Sequence, residues 1–403
     1  MVDTPLITQS LIHFFNNINH INMRIIIIIV FISGIYFSCK ETSNNKNYGS
    51  IPEIVYDSDN LADSIDISEI IDSTFFRIIP LETNNTSLIG KMSKLFFKHN
   101  RFYILDQMQK SIIVFDERGK FIFKFNASGK GPGEYVEIAS ATITDHNIII
   151  ADNILEKLFY YDLSGKFVKE FGKQKVWHLD IFSLNDGYLY SNNSWFSDAI
   201  IGKYMFFKTD STGRNVKKYF PFRSDDRGWR IKNNHSIYDN TAYVIYGSVD
   251  TIFRVSVNTE IEPAYRINIV KNSIPHTMKY KGNSLDIAEE NDYSLGMYSI
   301  ITMPDDILIG IDDYVIRHNI STGQTKTGYS FAVKYFPEFT PETIQGEYIL
   351  REFPANSFLE WFGYDYKDGK YDNFPEYKAR IKELLSTVNE MDNPLIFMHK
   401  IRK

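Results

Sequence analysis

The chain has one cysteine, Cys39, in 403 residues, so no disulfide can form within it. It contains no Gly-x-Ser-x-Gly, no His-Glu-x-x-His and no dense Cys/His cluster, which removes the nucleophile-elbow and zinc-helix signatures. Proline and glycine are modest at 13 and 22, against a disordered or collagen-like chain. Cations are not in excess: the formal charge is −6, so overall charge gives no support for a nucleic-acid partner. The main apolar run, Ile25 to Phe37, falls short of the roughly 20 residues a membrane-spanning helix needs. Aromatics are plentiful, with 31 Phe and 26 Tyr, which suits pleated, half-buried strands.

The run Ile25–Phe37 has the length of a signal-peptide core, with Arg24 as its positive flank and Met23 as a start, leaving 1–22 as an upstream overcall. Tyr36-Phe-Ser-Cys39 resembles the lipobox of bacterial lipoproteins, which implies cleavage after residue 38 and lipidation of Cys39. Acyl chains anchor a protein by about 0.8 kcal/mol per buried CH₂. Residues 39–69 then read as the lipidated cysteine and a polar tether. Lys40-Glu41 resembles the charged tag of surface-exposed lipoproteins. The expected location is the bacterial envelope, anchored in the outer membrane.

The most informative stretch runs from Arg101 to Phe171. Arg101–Asp106, Ile112–Asp116 and Phe121–Phe125 are matched by Asn147–Asp152, Leu158–Asp162 and Phe167–Phe171. Asp106 and Asp152, Asp116 and Asp162, and Gly119 and Gly165 each lie 46 residues apart. Short strands closed by Asp-x-x-Gly turns at such a period are the sequence signature of β-propeller blades. Looser copies follow at Leu179–Phe220, Ala242–Ile269 and Tyr298–Phe331. Pro375–Asn389 has helical spacing, ended by Asn393-Pro394. Thr74–Glu82 and Leu395–Ile401 are lone strands at the two ends, expected to pair in a last blade and remove the open edges of the ring.

These features give an all-β fold: a six-bladed β-propeller over 70–403, with a short C-terminal helix and closure by N- and C-terminal strands. Gly129-Lys-Gly-Pro-Gly-Glu-Tyr135, Ile79-Pro-Leu-Glu-Thr83 and Asp392-Asn-Pro394 together resemble the six-bladed propeller lipoproteins, relatives of NHL-repeat propellers. That resemblance implies a fold and an envelope location, and carries no catalytic residue.

Gly129–Gly133 is not a phosphate cradle, because no Gly-Lys-Ser/Thr follows and strands flank it. The Asp-x-x-Gly turns at Asp116, Asp162 and Asp210 offer one carboxylate each, too few for a calcium loop, and read as hairpin turns. In a four-stranded meander the outer-to-inner crossovers and the second-to-third loops emerge on one face. That face is expected to gather Trp177, Trp195 and Trp229, and His178, His235 and His276. A zinc site made by those histidines is the lesser reading of them; the expectation is no bound metal and no cofactor. Arg223-Ser-Asp-Asp-Arg-Gly-Trp-Arg230 sets three arginines and a tryptophan in one crossover. Arg227, Arg230, Trp195 and Trp229 are therefore the candidate pocket for an acidic glycan or other anion, with Glu134 expected near the channel mouth. The expected role is a ligand- or partner-binding module for a glycan, peptide or envelope protein. Two alternatives stay open: a scaffold subunit of an envelope complex, and a hydrolase or lyase with its site in the channel.

Overall fold

Asp-x-x-Gly turns set the geometry of the blades. In the computed structural model Asp116 Oδ1 accepts hydrogen bonds from the Arg118 and Lys120 amides, both at 2.8 Å. Asp162 and Asp210 repeat the pattern at Ser164/Lys166 and Thr212/Arg214. Gly119 closes the first turn at φ 83°, where a side chain would be strained. The structure describes residues 51–172, 180–192, 204–221, 233–246, 249–255, 260–275, 277–278, 284–333, 336–339 and 343–402.

Among these, six antiparallel four-stranded meanders form the blades of a β-propeller. Blade 1 comprises Lys94–Lys98, Arg101–Asp106, Ser111–Asp116 and Phe121–Phe125; blade 2 comprises Ser140–Ile143, Asn147–Asp152, Lys157–Asp162 and Phe167–Gly172. Blade 3 runs from Asp180–Leu184 to Lys217–Pro221, and blade 5 from Met297–Thr302 to Thr325–Gly328. Alternate side chains of each strand pack into the seams between blades. One seam holds Tyr103, Ile112, Val114, Ala141, Ile148, Ile150, Phe159 and Tyr161, drawn from blades 1 and 2.

Blade 4 differs from the sequence reading. Its inner strand is His235–Tyr238, of which His235 was assigned above to a crossover, and it pairs with Thr241–Val244 around the positive-φ turn Asp239-Asn240. Only Ser236 of that strand is fully buried, so no apolar run marks it.

The tether assignment for 39–69 is also corrected at its C-terminal end. Glu53–Tyr56 is a fifth, parallel strand on the outer edge of blade 4, with Ile54 and Tyr56 buried in alternation. Ile65–Asp66 pairs in parallel with Phe331–Val333 beyond blade 5. Ile71–Pro80 then becomes the outermost strand of blade 6, antiparallel to Leu395–Ile401, as expected from the two lone strands. Residues 53–80 thus form a belt along the outside of blades 4, 5 and 6. Arg317 of blade 5 fastens it, with Nε 2.8 Å from buried Asp306 and Nη1 2.9 Å from Glu69.

Blade 6 takes its inner strands from Thr343–Gln345 and Tyr348–Phe353. Between its second and third strands lie two helices, Ala355–Lys367 and Pro375–Thr387, of which the sequence reading gave only the second. Both pack on the blade through Phe358, Phe362, Tyr377, Ile381 and Leu384. Asn393 locks the closure: its Oδ1 accepts the Ile89 amide, and its Nδ2 donates to the Glu82 and Ser87 carbonyls.

Candidate functional site

Each inner strand starts on the face where the crossovers and second-to-third loops emerge, here the crossover face, and ends at a tight turn on the opposite, turn face. The inner strands enclose a channel of about 1090 Å³ running between the two faces. Side chains at the starts of four inner strands converge at its crossover end.

Lys94 opens the inner strand of blade 1, Ser140 that of blade 2, Asp180 that of blade 3 and His235 that of blade 4. The Lys94 ammonium is in contact with the Asp180 carboxylate and lies 3.4 Å from Ser140 Oγ and from the Ala141 carbonyl. Ser140 Oγ donates to Asp180 Oδ1 at 2.8 Å and accepts the Ile181 amide at 3.1 Å. The ammonium also sits 5.0 Å from the centroid of Phe182, whose other neighbour is the His235 ring at 3.7 Å. Burial pushes the Lys94 amine down to about 7, and an adjacent carboxylate such as that of Asp180 favours the protonated form. A fifth of each side chain stays exposed, at 21% and 20%, so neither group is fully desolvated. Burial, with Lys94 adding to it, lowers the His235 imidazole to about 3, so this ring is neutral. At the turn end Lys98 Nζ pairs with Asp145 at 2.8 Å and holds that carboxyl below its usual range.

Chemically, the crossover mouth offers one cation, one anion, a hydroxyl and a neutral imidazole next to aromatic carbon. Such a set offers hydrogen-bond donors and acceptors to the channel. Its two charges are committed to each other rather than set apart as a proton donor and acceptor.

Glu134 lies elsewhere. Its Oε2 accepts the Gly131 amide at 2.8 Å, inside its own crossover loop, and it is not among the channel-lining residues. That loop folds outward: Gly133 lies against the ring of Phe167, on the outermost strand of blade 2, and its carbonyl accepts the Tyr161 hydroxyl. Tyr135 is buried, donates to the Lys110 carbonyl and accepts the Ala127 amide. The Gly-Pro-Gly-Glu-Tyr stretch is a crossover staple. Trp195, Arg227, Trp229 and Arg230, together with Trp177, His178, His276 and Cys39, lie outside the described residues. His235 belongs to the channel wall, not to a crossover, which separates it from the histidine grouping drawn from the sequence. Among the described residues no group of three or more His, Cys, Asp or Glu is placed to hold a metal ion.

A family model described as a domain of unknown function, DUF4934, matches residues 51–400. The chain belongs to the DUF4934 family. The match starts where the fold starts, two residues before the Glu53–Tyr56 strand. Among solved structures, this DUF4934 chain is similar to a protein of Bacteroides fragilis described as exported, at 17% identity and TM-score 0.63, over 87% of this chain and 100% of the other. Similarity to a DUF4221 member from Bacteroides vulgatus is weaker, at 13% identity and TM-score 0.44, over 83% and 98%. Virginiamycin B lyase from Staphylococcus aureus gives 14% identity and TM-score 0.39, over 69% and 80%. At these identities the first likeness shows the propeller fold. No match was found among the curated proteins.

The channel residues had a signal in the sequence. Lys94 and Ser140 stand 46 apart, the same interval as the turn residues, so both fall at one position of the repeat. Their convergence on Asp180 depends on how consecutive blades pack about the channel, which spacing does not encode.

Proposed function

We propose that this DUF4934 chain is a lipid-anchored propeller of the bacterial envelope that binds a ligand or partner through its crossover face, with the channel mouth as the seat of a small polar ligand. The observation that carries the reading is the convergence of Lys94, Ser140, Asp180 and His235, from four blades, on one end of the channel. A pocket of this size that is mostly preformed, with few polar groups fixing orientation, is the usual form of a ligand site. The lipobox-like Tyr36–Cys39 and the likeness to a protein described as exported support the envelope location. From the sequence, Trp195, Arg227, Trp229 and Arg230 stay candidates for an anionic glycan on the same face. The hydrolase or lyase alternative is less favoured, because the Lys94 and Asp180 charges neutralise each other.

The test is a thermal-shift screen of acidic oligosaccharides, neutral oligosaccharides and short peptides against wild type, Lys94→Met and Lys98→Met. A compound that raises the Tm of wild type and Lys98→Met but not of Lys94→Met is expected. Binding that survives Lys94→Met and is lost in Lys98→Met would move the site to the turn face and end the reading.

A further inference from the structure

We infer that the ligand seated at the crossover mouth of the channel is a neutral sugar, whose hydroxyl donates to Asp180 Oδ2 while its ring lies against aromatic carbon of the wall. The inference deepens the channel-mouth reading and rests on it.

Every donor of the cation at the mouth is taken. An ammonium has three N–H donors. Lys94 Nζ has three protein acceptors: Asp180 Oδ1, Ser140 Oγ and the Ala141 carbonyl, the last two at 3.4 Å. Lys98, at the turn end, is paired with Asp145 at 2.8 Å. Among the described residues lining the channel, these two are the only Lys or Arg side chains. The His235 imidazole, lowered to about 3, adds no positive charge. A ligand carboxylate or phosphate entering the mouth has to displace Asp180 from Lys94. That leaves one carboxylate unpaired where protein covers most of its surface.

The anion, by contrast, is open on one side. Lys94, the Ser140 hydroxyl at 2.8 Å and the Ile181 amide at 2.8 Å all meet Oδ1. Among the described residues none bonds to Oδ2, so this oxygen is the mouth's open acceptor. A ligand ammonium placed on it would stand beside Lys94, like charge next to like charge. A hydroxyl brings a donor without a charge and leaves the ion pair whole. Its bond to an ionised oxygen is stronger than one between neutral groups.

The wall around Oδ2 is of the matching kind. Half-buried Phe96 of blade 1 and His235 of blade 4 bring ring carbon to the channel. Phe182 holds this arrangement together, 5.0 Å from Lys94 Nζ on one side and 3.7 Å from the His235 ring on the other. Thr142, Ser299 and Thr343 add uncharged hydroxyls from blades 2, 5 and 6. A sugar ring has C–H on its faces and O–H round its rim, so it meets both kinds of wall at once. The channel volume, about 1090 Å³, exceeds the roughly 300–1000 Å³ of ordinary small-molecule pockets and suits a short oligosaccharide.

The test is an array of neutral, uronic-acid and free-amino oligosaccharides, with short peptides alongside, probed with the full chain. The pH is set below about 7, the value of the Lys94 amine, so that the amine keeps its proton. Wild type is expected to retain neutral oligosaccharides with the same affinity at low and high salt, a result that needs no variant. Asp180→Asn is expected to weaken them by about tenfold or more. It also frees Lys94, so the variant is expected to gain the matching uronic-acid oligosaccharides, a gain that misfolding cannot produce. No retention of neutral oligosaccharides, a wild-type affinity that falls with salt, or an Asp180→Asn profile identical to wild type overturns the inference. So does a charged oligosaccharide or a peptide that wild type holds and Lys94→Met loses. That last outcome keeps the mouth as the ligand site and ends only the choice of a neutral sugar. Binding indifferent to Lys94→Met and Asp180→Asn alike ends both readings.

Discussion

Lys94 of blade 1 meets Asp180 of blade 3 across the end of blade 2, whose Ser140 hydroxyl bonds to the same carboxylate oxygen. The pair ties three blades at the mouth of the channel. Removing one partner leaves the other charge largely surrounded by protein. Lys94→Met and Asp180→Asn are each expected to lose about 1–3 kcal/mol in urea unfolding, the cost of leaving a buried polar group unmade. The double variant is expected to lose less than the sum, which a double-mutant cycle reads directly.

Acid should unfold the protein earlier than its carboxylates alone predict. His235 and His399 are both lowered to about 3 by burial, His235 with help from Lys94. An unfolded histidine titrates near 6.5, so the unfolded chain binds more protons between about pH 3 and 6.5. Stability then falls as pH drops through that window, by at most about 1.4 kcal/mol per unit for each ring. His399→Phe is expected to flatten this part of the profile by about one proton. An unchanged slope in chemical unfolding across pH 3.5–6.5 would refute the assignment.

Gly119 and Gly323 both have positive φ, at 83° and 70°, but different surroundings. A Cβ on Gly119 would lie 2.2 Å from the Pro80 carbonyl oxygen, whereas a Cβ on Gly323 meets nothing. Gly323→Ala should cost about 1 kcal/mol, for the backbone conformation alone. Gly119→Ala should cost at least twice that in the same unfolding measurement, since it pushes on the strand that closes the ring.

Arg317 separates a buried contact from an exposed one. Asp306 is buried and Glu69 is 71% exposed at the side chain. Arg317→Met leaves Asp306 uncompensated and should cost about 3–5 kcal/mol. Glu69→Gln should cost under about 1 kcal/mol. Equal losses from calorimetry would mean that the belt, not the buried pair, dominates this contact.

Blades 1 and 2 were legible because Asp, Gly and the strand residues recur at a constant interval, and the end strands because each stood alone beside a proline-marked boundary. The belt was not. Ile54, Tyr56, Ile65 and Ile67 are buried, but they are spread through polar sequence whose average hides a two-residue alternation. The inner strand of blade 4 has four residues and no apolar run. The helix at 355–367 carries Ala355, Phe358 and Phe362 at helical spacing behind Pro354, a faint signal between two apolar strands. For the site, loop topology pointed to the crossover face, but Glu134 was drawn toward the channel when its loop in fact folds onto the outer strand of blade 2. Lys94 and Asp180 meet only through the packing of blades 1, 2 and 3 about the channel, so no local pattern joins them.

The closure also orders events during synthesis. Glu82 and Asn393, bonded across the last seam, stand 311 residues apart in sequence. The belt strands leave the ribosome well before their strand partners at 262–269, 331–333 and 395–401. Until then Ile71–Pro80 has an unpaired edge, and pairing at such separation is slow. A nascent chain of this kind stays open until residues 395–401 have emerged, so chaperone occupancy should persist on every chain truncated before them and fall once they are present.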